Sequence, residues 1–333
     1  MEAAGIMSSN GSRSSITRRC LLAHSVLAGT ALVGPSSLMG APPIFAQSLS
    51  ASAFAKAKPA VSKGEHAMSV ELRPRTADVN GRLWGARARD WADIQEGTVR
   101  PVYEEVMDRT RVTSGTRYLD VGCGAGMAAQ LAAGRGAQIA GIDAAAALLA
   151  VARQRVPEGD FRQGDMEELP FGDRSFDVVT GFNSFQYAGN PAVALGEARR
   201  VTRPGGTVVI MSWGNPDGME AASLVAALRP LMPPPPSGAP GPFALSDEQA
   251  LRKFAADAGL KPREVFDVDS PFIYSDEATA VRGLNSAGVA VRAMENTSEQ
   301  AVTEAHAKAI APFRQPDGSY HVKATFRCLL AQP

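Results

Sequence analysis

The sequence predicts an α/β fold: a doubly wound, mostly parallel sheet of seven strands with helices on both faces. Three observations predict it. Short apolar runs alternate with helix-length segments between residues 116 and 215. The first of these runs ends at Asp120 and enters a turn with three glycines. The hydrophobic content of 45% is ample for a buried core.

The elements are predicted from their periodicity and their turn residues. Strands are predicted at residues 117–121, 137–142, 160–164, 176–180, 207–212, 261–268 and 320–330. Helices are predicted at residues 127–134, 144–156 and 191–201, as two helices within 82–110, and as helical patches at 275–284 and 298–311. The last patches form an insertion between the final two strands, which suggests a lid over one end of the sheet.

The chain divides into four predicted parts, with a Pro/Gly-rich linker at residues 230–242. These are an extension at 1–67, N-terminal helices at 68–115, a core at 116–215, and a linker, lid and closing strands at 216–333. After the linker, Ser246 and Gln249 have the spacing of a capping box before a helix that ends at Gly259.

Composition argues against several classes of function. The formal net charge is zero and no block of like charges occurs, so a nucleic-acid partner is disfavoured. The three cysteines lack C-x-x-C spacing, which argues against a disulfide framework and a zinc site. The four histidines are too few and too separated to propose a metal site.

The N-terminal extension has a composition of its own. Arg18 and Arg19 precede a stretch without charge at residues 20–55, which resembles a twin-arginine export signal. Its apolar part is too short and too interrupted for a transmembrane helix, so stable membrane insertion is not expected. The alternatives are a disordered extension or an over-long start, with Met68 as the first residue of the protein.

The glycine turn at residues 120–126 reads Asp-Val-Gly-Cys-Gly-Ala-Gly. A dinucleotide fingerprint starting at Gly122 would need glycine at position 127, where Met127 stands. Such a turn leaves backbone bare for a ligand to lie against. Its N–H groups and the N-terminus of the following helix favour the carboxylate end of an amino-acid-like ligand.

Asp143 ends the second predicted strand, 21 residues after Gly122. A carboxylate at this position can accept hydrogen bonds from two ribose hydroxyls. It can also cap the helix that follows, and both roles can hold together. This acid alone does not identify the ligand, because a ribose is common to several nucleotide cofactors.

Three further segments follow in order: Gly-Asp-Met-Glu-Glu-Leu-Pro-Phe at 164–171, Phe-Gly-Asp-Arg-Ser-Phe-Asp-Val-Val at 171–179, and Leu-Gly-Glu-Ala-Arg-Arg-Val-Thr-Arg-Pro-Gly-Gly at 195–206. Together with the glycine turn they resemble the motifs of class I S-adenosylmethionine-dependent methyltransferases. The likeness is to the subgroup that contains the ubiquinone and menaquinone biosynthesis methyltransferases, and it is strong across residues 118–212.

The resemblance implies S-adenosylmethionine as the methyl donor. It implies that Asp165 meets the adenine amino group and that Met166 lies against the ring. Cys123 is expected to be a small residue of the turn, not a nucleophile. The expected donor-binding residues are Asp120, Gly122, Cys123, Gly124, Gly126, Asp143, Ala144, Asp165, Met166 and Asn183.

Departures from related families narrow the acceptor to a small organic molecule. Methyltransferases of base or glutamine amino groups carry Asn/Asp-Pro-Pro-Tyr/Phe after strand 4, whereas Gly-Phe-Asn-Ser stands at 181–184 here. Methylation of oxygen or carbon is therefore favoured over nitrogen. Arsenic methylation needs several thiolates, and Cys123 is the only cysteine near the site.

No single catalytic residue stands out, because transfer from a sulfonium chiefly requires placement of the nucleophile. Asn183, Gln186 and Tyr187 are candidates for the acceptor side, and Tyr187 and His321 are weak candidates for a base. Trp84 and Trp91 can wall the acceptor pocket, although ordinary core packing explains them equally well.

Two rival functions remain. An NAD(P)-dependent oxidoreductase shares the fold but lacks support from the glycine spacing and from the Asp165 segment. A non-catalytic S-adenosylmethionine-binding protein is the other rival. The active enzyme is expected in the cytoplasm, where the donor is made, with export as the alternative; the sequence does not predict an oligomeric state.

Overall fold

A computed structural model describes residues 76–235 and 241–333. The twin-arginine-like segment therefore lies outside the described residues. The main sheet has seven strands in the order β3-β2-β1-β4-β5-β9-β6, and a second sheet pairs β7 with β8. Strands β1 to β5 run parallel to one another, whereas β9 is antiparallel to both β5 and β6. The predicted fold class is confirmed.

The strands are β1 (Arg117–Val121), β2 (Gln138–Asp143), β3 (Asp160–Gln163), β4 (Phe176–Phe182), β5 (Thr202–Trp213), β6 (Lys261–Asp269), β7 (Phe272–Tyr274), β8 (Tyr320–Val322) and β9 (Thr325–Gln332). The helices are α1 (Thr76–Gly85), α2 (Ala88–Asp90), α3 (Arg100–Arg109), α4 (Met127–Gly134), α5 (Ala146–Arg155), α6 (Pro191–Val201), α7 (Ala221–Ala227), α8 (Glu248–Asp257), α9 (Glu277–Asn285), α10 (Gly288–Asn296) and α11 (Glu299–Ile310). A π-helical turn, Trp91–Gln95, and a 3-10 turn, Glu96–Val99, join α2 to α3.

The central strands have both faces buried, as a parallel sheet requires. Along β4, Val178 belongs to the core beneath α3 and α4, and Val179 belongs to the core beneath α6 and α8. This alternation explains why β1 and β4 are buried along almost their whole length. Because β1, β2 and β4 run parallel, their carboxyl ends lie at one edge of the sheet.

The strand predicted at residues 320–330 is wrong as a single element. The chain leaves the β7 partner after β8 and joins the main sheet only at Thr325. Between the two strands, the Lys323 N–H donates to Glu220 at 2.7 Å and the Ala324 carbonyl accepts from Ser270 at 2.8 Å. A change of partner strand leaves no mark in an alternating apolar pattern, so the sequence could not show it.

Two helix starts also differ from prediction, for a common reason. Asp247, not Ser246, caps α8, because its carboxylate accepts from the Ala250 N–H at 2.8 Å. Helix α5 begins at Ala146, not at residue 144, because Asp143 accepts from the Ala145 N–H at 2.8 Å. In both places a side-chain acceptor for an unpaired N–H sets the boundary.

Helices α9, α10 and α11 pack against the N-terminal helical segment. The Tyr274 hydroxyl donates to Gln95 at 2.8 Å beneath this contact. Three ion pairs join the two parts at the surface: Arg82–Glu295, Arg87–Glu299 and Asp90–Arg282. The insertion therefore covers the N-terminal helices rather than the bare end of the sheet.

Among the described residues, none of the helices combines the length and the apolar character that crossing a bilayer requires.

Gly288 allows the closest approach between the insertion and Trp84. A Cβ atom there would lie 2.7 Å from the Trp84 Cδ1 and Nε1 atoms. We expect Gly288→Ala to displace the rigid indole and to lower the free energy of unfolding by about 1–3 kcal/mol. Gly196→Ala is the matched control, because a Cβ on this helical glycine would meet nothing within 4 Å. Calorimetric melting of both variants measures the change. A Gly288→Ala variant as stable as the wild type would contradict the prediction.

Candidate functional site

A cavity lies at the carboxyl edge of the sheet, where β1, β2 and β4 end. Ten of the predicted site residues line it: Trp84, Trp91, Gly122, Gly124, Asp143, Ala144, Asp165, Met166, Asn183 and Tyr187. Its other lining residues include Asn80, Ile142, Leu148, Phe182 and Ser184. Topology explains the gathering, because parallel strands deliver their carboxyl ends to one edge.

The glycine turn is tight because two neighbouring elements press against it. Gly122 has φ +76°, and a Cβ there would lie 2.5 Å from the Ser184 Cβ. Gly126 has φ +82°, and a Cβ there would lie 2.8 Å from the Ala152 Cβ of α5. Both positions therefore need glycine for conformation and for space. Gly126 itself does not line the cavity.

Asp143 ties the glycine turn to the end of β2. One carboxylate oxygen accepts from the Gly124 N–H at 2.9 Å, and the other accepts from the Ala145 N–H at 2.8 Å. Burial raises the pKa of Asp143, and these backbone hydrogen bonds oppose that shift. Each carboxylate oxygen can accept a second hydrogen bond, so both oxygens can still accept from a ligand in the cavity.

Asp120 lies behind the turn and does not line the cavity. Its carboxylate is 2% exposed and accepts from the Thr180 hydroxyl at 2.8 Å. Burial raises its pKa to about 7, and the nearby Glu96 and Asp143 carboxylates add to the shift. Cys123 is also buried behind the turn, and burial raises the pKa of its thiol. A neutral buried thiol fits the expectation that Cys123 is not a nucleophile.

Glu96 is a site residue that sequence reasoning missed. It is 2% exposed, forms an ion pair with Arg155, and accepts from the Met127 N–H at 3.3 Å. It therefore serves the first N–H of α4, one of the groups that the sequence assigned to a ligand carboxylate. Burial raises the pKa of Glu96, whereas the Arg155 guanidinium lowers it. No local pattern signals this pair, because its members are 59 residues apart.

Three aromatic rings form one wall of the cavity. The rings of Trp84 and Trp91 meet edge to face at 5.0 Å, and those of Trp84 and Tyr187 do so at 5.7 Å. Burial raises the pKa of Tyr187 to about 12. The phenol is therefore protonated at neutral pH. Asn80, which sequence reasoning also missed, holds this wall by donating to the Tyr187 carbonyl at 2.9 Å.

Asn183 turns the chain at the end of β4 with φ +53°, a conformation that asparagine tolerates better than most residues. Its side chain accepts a hydrogen bond from Gln186 and faces the cavity. Gln186 itself does not line the cavity, and its Oε1 atom is buried without a hydrogen-bond partner in the described part of the chain. Unusual backbone at a cavity wall is typical of ligand sites.

The structure does not bring His321 to the cavity. The side chain is exposed on β8, where its Nε2 lies 3.3 Å from the Ser319 hydroxyl. His306 is buried against Asn285 at 2.7 Å, and burial lowers its pKa to about 4. It lies outside the cavity lining as well. In the part of the chain that the structure describes, no cluster of acidic, histidine or cysteine side chains could hold a metal ion.

Residues 119–210 match the family model for a methyltransferase domain. Demethylmenaquinone methyltransferase of Renibacterium salmoninarum is 37% identical over 150 residues, which cover 45% of this chain and 59% of that protein. Ubiquinone biosynthesis O-methyltransferase of Hahella chejuensis is 35% identical over 133 residues, which cover 38% of this chain and 55% of that protein. The chain thus spans little more than half the length of these relatives.

Among solved structures, the YcgJ protein of Bacillus subtilis is 21% identical, with a TM-score of 0.45 over 69% of this chain and 98% of that one. This level of similarity carries no functional information. Residues 119–210 are therefore similar to a methyltransferase domain, and S-adenosylmethionine is the methyl donor that such domains use.

The cavity fits a donor of that kind. At Gly124 the turn presents bare backbone, with the Trp91 Nε1 and Glu96 Oε1 atoms each 3.5 Å from the position of an added Cβ. The Trp91 Nε1 atom is buried and has no hydrogen-bond partner within residues 76–235 and 241–333. An orphaned donor beside a glycine cradle is a place that a polar ligand would complete.

Asp120 makes stability depend on pH. Its folded-state pKa of about 7 exceeds the ordinary value of 3.8, so the folded protein binds the extra proton and loses stability as pH rises toward 7. Asp120→Asn removes this titration. We therefore expect its free energy of unfolding, relative to that of the wild type, to rise by on the order of 1–3 kcal/mol between pH 5 and pH 8. Urea unfolding at both pH values measures this, with Asp160→Asn on exposed β3 as control. A difference independent of pH would contradict the assignment.

Proposed function

We propose that this protein transfers the methyl group of S-adenosylmethionine to a small, uncharged organic acceptor, on oxygen or carbon rather than nitrogen. The observation that carries the proposal is the cavity at the edge of β1, β2 and β4, inside the matched domain. Its glycine turn and the acids at the ends of β2 and β3 stand in the order in which such a donor would need them.

The donor would lie along the carboxyl edge of the sheet. The backbone at Gly122 and Gly124 would support its methionine end, and Asp143 would accept from the ribose hydroxyls. Asp165 would accept from the adenine amino group, with Met166 against the ring. The bound donor supplies an electrophilic methyl on a sulfonium, and the protein has to place the acceptor and exclude water.

Placement and exclusion of water are what the described residues provide. Phe182, Trp84 and Tyr187 give the cavity an aromatic surface that favours displacement of water by an apolar acceptor. Holding the nucleophile about 3–3.5 Å from the methyl carbon replaces a bimolecular encounter with a unimolecular step. Asn183, at the end of β4, is placed to orient the acceptor through its amide.

The titratable groups of the lining argue against strong base catalysis by the protein. Among the described lining residues they are Asp143, Asp165 and Tyr187. Asp143 uses both oxygens to brace the backbone, and Tyr187 stays protonated at neutral pH. An acceptor that is itself acidic, such as a phenol or an enol, therefore suits this site best.

The charge of the lining supports an uncharged acceptor. No lysine, arginine or histidine is among the described residues that line the cavity, and two of them are acids. An anionic acceptor would find no partner there. The menaquinone and ubiquinone in the names of the relatives make quinols and phenols the first acceptors to test.

The remaining parts of the proposal concern the rest of the chain. Residues 116–215 would be the donor-binding core, and helices α9–α11 would be a cover that the three surface ion pairs hold shut over the N-terminal segment. We place the active enzyme in the cytoplasm, with export through the N-terminal segment as the alternative.

Binding and turnover test the proposal separately. We expect calorimetric titration to show binding of S-adenosylmethionine and S-adenosylhomocysteine and no binding of NADH. Incubation with labelled donor and a panel of phenols, quinols and amines should give a product one methyl group heavier from the first two classes. Donor binding without any turnover would favour the non-catalytic rival, and NADH binding alone would favour the oxidoreductase.

Asp165→Asn tests the adenine contact. The variant keeps the Oδ1 atom that accepts from the Glu167 N–H at 3.0 Å, so the local turn is preserved. It replaces a charged acceptor by an amide, and we expect the Kd for S-adenosylhomocysteine to rise roughly tenfold to a hundredfold. Asp257→Asn, which changes an exposed side chain at the end of α8, is the matched control and should leave the Kd unchanged. An unaltered Kd in Asp165→Asn would refute the contact.

A further inference from the structure

The Trp91 indole N–H is a buried donor that none of the described residues satisfies. Its Nε1 atom has no hydrogen-bond partner among them, although the side chain lines the cavity. A buried donor without a partner costs about 1–3 kcal/mol and is rare in folded proteins. The cost is understandable where a ligand supplies the missing acceptor.

The indole is held in place from several sides. Its backbone N–H donates to the Arg87 carbonyl at 3.0 Å, and its ring meets Trp84 edge to face at 5.0 Å. The carbonyl of the next residue, Ala92, accepts from Arg155 at 2.7 Å. Trp91 also opens the π-helical turn, an element that is often found at functional sites.

The surroundings of the N–H identify the ligand group that would accept from it. The Trp91 Nε1 and Glu96 Oε1 atoms each lie 3.5 Å from the position of a Cβ on Gly124. A donor and a buried acid thus flank the same glycine. Glu96 is already paired with Arg155 and does not line the cavity, so the missing acceptor has to come from a ligand, and a carboxylate is a group that only accepts.

The other end of the cavity is chemically different. Asp143 and Asp165 are acceptors suited to hydroxyl and amino groups, and Met166 offers a flat apolar contact. The amino-acid end of a nucleoside amino acid would therefore lie at Gly124. Its nucleoside would lie toward β2 and β3.

We propose that the Trp91 N–H binds the α-carboxylate of the methionine moiety of the donor. The inference rests on the proposed function and assigns Trp91 to the donor instead of the acceptor. It makes Trp91 a determinant of specificity, because a nucleoside without an amino-acid end leaves the N–H unsatisfied.

Titration of Trp91→Phe with two ligands tests this. S-adenosylhomocysteine carries the amino-acid end, and 5′-methylthioadenosine keeps the nucleoside and the sulfur without it. We expect Trp91→Phe to raise the Kd of the first by roughly tenfold or more and that of the second by less than about threefold. Trp84→Phe is the matched control, since it removes an indole from the same wall, and it should affect both ligands equally.

A second measurement uses the wild-type protein and does not depend on how the variant folds. The protein is labelled with ¹⁵N-tryptophan, and the Trp91 indole resonance is assigned as the one that persists in both Trp84→Phe and Trp213→Phe. We expect this resonance to shift downfield when S-adenosylhomocysteine binds and not when 5′-methylthioadenosine binds.

The outcomes separate the two proposals. Equal losses for both ligands in Trp91→Phe, or no loss for either, would overturn the assignment of Trp91 while leaving donor binding intact. An indole resonance that responds alike to both ligands would overturn it as well. A wild-type protein that binds neither ligand would refute the proposed function, and the assignment with it.

Discussion

The buried ion pair between Glu96 and Arg155 is the contact on which the rest of the site depends. Arg155 donates to the carbonyls of Ala92 and Ala125, and Glu96 accepts from the N–H of Met127. The pair thus joins the N-terminal segment, the glycine turn and two helices at one point. Desolvation makes such a pair a weak source of stability, so its main effect is to set orientation. The pair therefore helps to hold the Trp91 segment against the glycine turn.

Charge is arranged around the cavity with one sign. Asp120 and Glu96 lie behind the glycine turn and Asp143 lines the cavity beside it, and burial raises the pKa of each. Among the described residues, only Glu96 of these three has a cationic partner, and the other two are balanced by hydroxyl and backbone donors. A field of this sign favours a donor that carries a sulfonium and an ammonium. It equally disfavours an anionic acceptor, so the same acids contribute to both sides of the proposed reaction.

Much of the fold and of the donor side was predictable from local patterns. Strand and helix periods predicted the sheet, and acids at strand ends predicted Asp143 and Asp165, because parallel strands collect their carboxyl ends at one edge. The same reasoning included Asp120 and Gly126, which do not line the cavity, since a motif position does not show which side of a turn faces inward. His321 illustrates the limit on the acceptor side, where a residue type without topology carries little information.

The sequence by itself determined the α/β class, the glycine turn and the order of the acids along the chain, because each depends on neighbours within a few residues. Only the tertiary structure decided what surrounds them. It paired Glu96 with a residue 59 positions away, split the last predicted strand between two sheets, and raised the pKa of Tyr187 to about 12. Burial and partner choice are properties of the packed chain, and long-range contacts that create them leave no local pattern to read.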